Sequence, residues 1–194
     1  MAYKMIVLDL DGTLTNNKKE ITPRTYEALM EAQKKGIVVV LASGRPTYGI
    51  MPLAKQLKLA EYGGYILAYN GGKIMDCKSG DTVFNQELCP DLVPMLYDEA
   101  MKAGVQILTY QGDGIAATKA DDEYVEHEAF INKMTVVEYS DFKNQVEYPI
   151  NKCLIVGDPE PLHKLELKLA AEMEGKISVY RSAPFFLECV PLGI

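Results

Sequence analysis

Short apolar runs separated by helical repeats organise the first third of the chain. Met5–Leu10 is almost unbroken in apolar character, which predicts a strand covered on both faces. Thr22-Pro23 supplies an N-cap and a first helical position, Tyr26, Leu29, Met30 and Gln33 follow at helical spacing, and Gly36 marks the stop. Ile37–Ala42, β-branched and apolar, predicts a second strand. Ser43-Gly44-Arg45-Pro46 then turns the chain into a helix beginning near Thr47, which Pro52 makes irregular. Tyr65–Tyr69 predicts a third strand, ended by Asn70-Gly71-Gly72. This alternation predicts parallel βαβ units with right-handed crossovers.

The texture then changes. Lys73–Cys77 and Thr82–Phe84 flank Lys78-Ser79-Gly80-Asp81 and read as a hairpin. A helix is expected over Pro90–Ala103, stopped by Gly104. Val105–Thr109 and Ile115–Thr118 flank Gln111-Gly112-Asp113-Gly114, a second hairpin with strong turn chemistry. A short helix near Glu123–Phe130, a strand at Ile150–Val156, a helix at Leu162–Met173 and strands at Ile177–Tyr180 and Phe185–Val190 complete the expectation. Hairpins mixed with helices suggest an α+β module inserted after the first three units.

Composition narrows the chemistry. The chain has 194 residues, 48% of them hydrophobic and 24% charged, enough for one large domain or two small ones with real cores. A net charge of −7 argues against nucleic-acid partners, because no basic excess exists to displace counterions from a phosphate backbone. Any site for an anion must be locally positive. Cys77, Cys89, Cys153 and Cys189 lie far apart and the two histidines add no metal-ligand spacing, so reduced thiols and a cytoplasmic setting are expected. No leader pattern and no run long enough to span a bilayer is present, so no membrane partner is expected.

The candidate chemistry sits where the strands end. Asp9 and Asp11 close the first apolar run, and residues two apart on a strand project to one side. Ligands of open α/β sheets bind outside the carboxyl ends of the strands. Gly12 permits a sharp turn and close approach of backbone N–H groups to an anion. Two nearby carboxylates repel, and Mg²⁺, which takes one or two carboxylates plus substrate phosphate, would relieve that. Read alone, Asp-x-Asp-Gly is also ordinary turn chemistry. At the end of the second strand Ser43 offers a hydroxyl, Gly44 an open backbone and Arg45 a bidentate fork suited to phosphate or carboxylate.

Taken in order, "DLDGTLT", "LASGRP" and "YNGG" resemble the haloacid dehalogenase superfamily, and most of all its Cof-type sugar-phosphatase branch. "RSAPFFLE" resembles the segment by which that branch returns from its cap to its core. The resemblance implies an α/β fold, a Rossmann-like parallel core sheet with an inserted α+β cap. It divides the chain into a core of residues 1–84 and 182–194, C-terminally incomplete, and a cap of residues 85–181. It implies Mg²⁺-dependent hydrolysis of a small phosphorylated metabolite, with sugar phosphates foremost. Asp9 would be the nucleophile that becomes phosphorylated, and Asp11 the general acid/base, its pKa raised by a negative, partly enclosed site. Asp9 and Asp11 would also hold the metal. Ser43 would bind the phosphoryl group, with Gly12 and Gly44 shaping its cradle, and Arg45 and Asn70 would orient phosphate or substrate.

Two further motifs of the family, a lysine beside the nucleophile and a Gly-Asp-x-x-Asn-Asp-like acidic motif, do not follow "FFLECVPLGI" before Ile194. "LIVGDPEP" lacks the second acidic pair and reads as a strand-to-helix turn of the cap. Lys152, Lys176 and Arg181 are candidates for the missing cation, although most such lysines are only solvated charges. Tyr124, His127 and Arg181 could contact a substrate from the cap, but helix-face packing or surface exposure explains each equally well, and none is assigned to the site. The expectation is a chain with weak or no phosphatase activity, whose small core sheet exposes apolar surface and favours self-association. A phosphomutase of the same superfamily and a noncatalytic phosphate- or partner-binding remnant are the alternatives. A receiver domain is disfavoured, because the third strand ends in Asn70 where a receiver carries its acceptor aspartate.

Overall fold

The computed structural model describes residues 3–194, which form two compact units divided between Asn85 and Gln86. In the first unit β1 (Met5–Asp9), α1 (Pro23–Lys34), β2 (Val38–Ala42), α2 (Thr47–Gln56), α3 (Leu59–Tyr62) and β3 (Tyr65–Ala68) alternate. The hairpin β4 (Lys73–Asp76) and β5 (Thr82–Asn85) follows. The sheet order is β1-β2-β3-β4-β5, parallel through β3 and antiparallel beyond it. Thr22 caps α1 by accepting the Thr25 N–H at 3.2 Å, with Pro23 in the first helical position. Leu10, Leu41, Ile50, Leu57, Leu59 and Ile66 are fully buried and form the centre of this unit's core.

One expectation about β1 fails. It is an edge strand, and Met5 and Val7 on its outward face are 50% and 55% exposed. An apolar run therefore does not mark a strand covered on both faces here; the described sheet has no neighbour on the far side of β1.

The second unit runs α4 (Val93–Ala103), β6 (Gln106–Gln111), β7 (Gly114–Ala117), α5 (Glu123–Asn132), β8 (Thr135–Glu138), α6 (Phe142–Gln145) and β9 (Cys153–Val156). It closes with α7 (Pro159–Glu172), β10 (Ile177–Ala183) and β11 (Phe186–Pro191). These strands make one six-stranded sheet in the order β10-β11-β9-β6-β7-β8, with only the β7–β8 pair parallel. Its core gathers Leu96 and Ala100 of α4, Ile107, Ile155, Leu162, Leu165, Leu169, Leu187 and Cys189. Strand β8 and the short α6 had no clear signal in the sequence. Gly157 lies at the β9–α7 turn, where an added Cβ would stand 2.6 Å from Val105 Cγ1, so only glycine fits.

Residues 182–194 were expected to rejoin the first unit. Instead β11 lies inside the second sheet, hydrogen-bonded to β10 on one side and β9 on the other, with Glu188 opposite Leu154. The physical reason is the turn at Pro184-Phe185, which folds β11 back on β10, and the burial of all six β11 residues. A strand buried on both faces with both edges paired is central. No helix among the described residues is long and apolar enough to cross a membrane. The four cysteines are unpaired thiols.

Candidate functional site

The site residues of the first unit follow directly from strand register. Asp9, the last residue of β1, pairs in parallel with Ala42, the last residue of β2, so Ser43 leaves the sheet at the same end as Asp9. Ala42 in turn stands beside Leu67 of β3, which brings Asn70 to that end as well. The chain turns sharply after β1. Leu14 N–H donates to Asp9 C=O at 3.0 Å, Thr15 N–H to Leu10 C=O at 2.9 Å, and the Thr15 hydroxyl to the same carbonyl at 2.9 Å. Gly12 takes φ +81°, the left-handed region that favours glycine. Buried Leu10 and Leu14 anchor the turn on either side, leaving Asp9 and Asp11 exposed.

Arg45 crosses from the β2 end to Asp11. Its Nε donates to Oδ2 at 3.0 Å and its NH2 to Oδ1 at 2.6 Å, a two-point fork on one carboxylate. The Lys19 ammonium reaches the same carboxylate from the loop after β1, with Nζ 2.7 Å from Oδ1. Partial burial of Asp11 alone would raise its pKa. The hydrogen bonds and charges of Arg45 and Lys19 outweigh that and hold the carboxyl below its ordinary value. This reverses the expectation of a raised pKa: like charges can be counted from the sequence, but the cations arrive only through the fold.

The opposite wall is built from backbone. Asn70 N–H donates to Ser43 C=O at 3.2 Å and Tyr69 N–H to Arg45 C=O at 3.0 Å, tying the loop after β3 to the loop after β2. The Ser43 hydroxyl accepts the Arg45 N–H at 3.2 Å. Asn70 adopts φ +63°, a conformation asparagine tolerates better than most residues. A Cβ on Gly44 would stand 3.3 Å from Asn70 Nδ2, a tight contact, so glycine leaves this side chain room to lie against the Ser43–Arg45 loop.

The other sequence candidates lie in the second unit and pair within it. Lys152 is buried, with Nζ donating to Glu188 at 2.8 Å, while Arg181 donates from Nε to Glu166 at 2.7 Å. Lys176 sits exposed in the loop before β10. The Tyr124 hydroxyl donates to Asp158 at 2.9 Å, and the His127 ring packs against Phe185 and Phe186. "LIVGDPEP" forms β9, its turn and the start of α7. Lys19 is the site residue that sequence reasoning missed. Its only signal was the turn chemistry of Asn16-Asn17-Lys18 immediately before it.

Among the described residues, no cluster of three or more histidine, cysteine or carboxylate side chains could hold a metal. The donors at the β1 end fit a more limited role. Asp9 offers an exposed carboxylate, whereas the Asp11 carboxylate is occupied by Arg45 and Lys19, leaving its main-chain carbonyl as the oxygen to offer. Magnesium often takes such a partial protein shell and completes it with phosphate oxygens and water.

Comparison with known proteins bears on this arrangement. A family model described as haloacid dehalogenase-like hydrolase matches residues 6–194. The crystal structure of a haloacid dehalogenase-like hydrolase from Bacteroides thetaiotaomicron is 51% identical, with a TM-score of 0.95 over all of this chain and 73% of that one. YxeH of Bacillus subtilis is 29% identical over 191 residues, 96% of this chain and 69% of its own. The 5-amino-6-(5-phospho-D-ribitylamino)uracil phosphatase YcsE of Bacillus subtilis is 28% identical over 160 residues, 81% of this chain and 62% of its own.

Proposed function

The chain belongs to the haloacid dehalogenase-like hydrolase family and is a phosphatase of that kind, and we propose that it hydrolyses small phosphorylated metabolites, sugar phosphates foremost, through Asp9. The observation that carries this reading is that Asp9 and Asp11 stand two residues apart at the β1 end, where Arg45 reaches Asp11 from the β2 end with its guanidinium 2.6 Å away. In this reading the acidic nucleophile, the proton carrier and the anion-binding cation belong to the carboxyl ends of two adjacent parallel strands. The name of YcsE, a phosphatase acting on a phosphorylated ribityl chain, supports a sugar-like leaving group.

In this reading the Asp9 carboxylate attacks phosphorus, the bond to the leaving oxygen breaks, and water later releases the phosphate from Asp9. One difficult displacement becomes two easier ones. Asp11 carries the proton, to the leaving oxygen in the first step and from the water in the second. While Arg45 and Lys19 hold it, Asp11 stays ionised and suits the second task. An arriving phosphate dianion adds negative charge beside Asp11, and that pushes its pKa up toward the range needed for the first. Ser43 and the Asn70 side chain present polar groups on the facing wall. Mg²⁺, held by Asp9 and the Asp11 carbonyl, would neutralise charge between the carboxylate and the phosphate.

The test is phosphate release from an aryl phosphate and a panel of sugar phosphates with Mg²⁺, comparing the chain with Asp9→Asn. Release that disappears in the variant supports the reading. Equal release in both, or none from any ester, opposes it.

A further inference from the structure

Lys19 carries more information than its single contact suggests. It sits in a closed turn whose two ends are fixed in the core. Thr15 bridges Ile21, and Leu14, Thr15 and Ile21 are all buried. Within the turn, Asn16 Oδ1 accepts the N–H groups of Lys18 at 2.8 Å and Glu20 at 3.1 Å. Asn16 N–H donates to Glu20 C=O at 3.0 Å, and Lys19 N–H to Asn16 C=O at 2.8 Å. The turn brings Lys19 back over the β1 end, eight positions after Asp11.

The backbone at this position does not favour lysine. Its φ is +61°, the left-handed region that costs an ordinary residue on the order of 1 kcal/mol and that glycine enters freely. Local structure alone would be better served by glycine or asparagine. What lysine adds is the ammonium at the end of its side chain, and that group stands 2.7 Å from Asp11.

Asp11 does not need it. Arg45 already supplies a fork to both oxygens from a side chain only 8% exposed, so that guanidinium is fixed in place. Lys19 is a second cation on a satisfied carboxylate, its side chain 42% exposed on a flexible stem. An exposed ammonium can exchange one oxygen partner for another nearby with little reorganisation. The carboxylates Asp9 and Asp11 balance Arg45 and Lys19, and a phosphate dianion would balance a bound Mg²⁺, so a fully loaded site remains close to neutral.

We propose that Lys19 is a phosphate-binding residue of this site, its ammonium passing from Asp11 to an oxygen of the arriving phosphoryl group, an assignment that rests on the phosphatase reading of Asp9 and Asp11. No bond is made or broken in that exchange. The loop after β1 thereby supplies a mobile cation, and the β2 end supplies the fixed one.

The test uses the 194-residue chain with Lys19→Gly and Lys19→Arg. Glycine suits the left-handed turn, so this variant removes the ammonium while keeping the loop. Inorganic phosphate binding with Mg²⁺ is measured by titration calorimetry, together with the thermal unfolding midpoint and aryl phosphate kinetics. Lys19→Gly is expected to unfold no earlier than wild type yet to bind phosphate about 10-fold more weakly, the scale of one lost charge-assisted hydrogen bond. KM for the ester should rise in parallel, and Lys19→Arg should restore most of the affinity. Unchanged phosphate affinity in Lys19→Gly, with Asp9-dependent hydrolysis intact, overturns this inference and leaves the phosphatase reading standing. A loss of affinity that tracks a lower unfolding midpoint in Lys19→Gly also overturns it, because the lysine would then be serving the loop. A wild-type chain that neither binds phosphate nor hydrolyses any ester overturns both.

Discussion

Arg45 grips Asp11 with both arms of its guanidinium, Nε 3.0 Å from one carboxylate oxygen and NH2 2.6 Å from the other. The two residues come from the ends of adjacent parallel strands, and the contact joins the acidic loop after β1 to the loop after β2. A lysine cannot reproduce a planar fork. Arg45→Lys should therefore lower kcat/KM for an aryl phosphate by about 10-fold, and Arg45→Ala by about 10²–10³-fold, the range seen when one preorganised donor is lost. Steady-state kinetics on both variants decide it, and wild-type rates in Arg45→Ala would remove Arg45 from the site.

Gly44 is a second, steric determinant. A methyl group there would stand 3.3 Å from the Asn70 amide, which would have to shift by a few tenths of an ångström on the Ser43–Arg45 loop. Gly44→Ala should raise KM several-fold and cost about 1 kcal/mol of stability by overpacking. Urea unfolding and ester kinetics on the same preparation check both effects. Asn70→Gly, which keeps the left-handed backbone, should raise KM without the stability cost.

In the second unit the buried pair Lys152–Glu188, 2.8 Å apart, is expected to govern stability. The Ser182 hydroxyl also donates to Glu188, at 2.7 Å. Lys152→Met leaves that carboxylate buried without its cation, which should cost about 3–5 kcal/mol. Adding Glu188→Leu should recover most of the loss, since an apolar pair of similar size avoids the desolvation penalty. Chemical denaturation of the single and double variants measures this coupling.

Glu128 lies near that pair and gives the unit a pH dependence. Burial pushes its pKa up, against the opposing pull of Lys152 and the Tyr110 hydroxyl, with Glu188 adding repulsion and Asn132 a hydrogen bond. A carboxyl that keeps its proton in the folded state but loses it on unfolding makes the unfolded chain release a proton as pH rises. Stability should thus fall from the ordinary glutamate pKa of about 4.3 upward, until the folded group itself ionises. Glu128→Gln should flatten that slope, as urea midpoints collected across pH would show.

How much of this was legible in the sequence depended on distance along the chain. The strand ends, expected at Leu10, Ala42 and Tyr69 and found at Asp9, Ala42 and Ala68, could be read to within one residue from apolar runs closed by Gly12, Gly44 and Gly71, because turn chemistry is local. The partners of a strand are not local. "FFLECV" has the pattern of a buried strand, but nothing in it says whether its neighbours are β9 and β10 or the first sheet. The apolar run of β1 looks the same whether the strand is central or at an edge. The lowered pKa of Asp11 was hidden for a similar reason, since it depends on Arg45, brought from the end of another strand. Nothing local in the sequence singled out Lys19, because it is the fold of the Asn16 turn that carries its ammonium to Asp11.

In the proposed reaction Asp9 accepts the phosphoryl group. The most direct measurement is to mix the chain with Mg²⁺ and an aryl phosphate, quench in acid within the first turnover, reduce with borohydride and locate the modified residue by peptide mass spectrometry. An acyl phosphate at Asp9 would be converted to homoserine, and that change is expected at position 9 and should be lost when substrate is omitted. Phosphate release at the same rate with position 9 unmodified, or with another residue carrying the phosphoryl group, would contradict it.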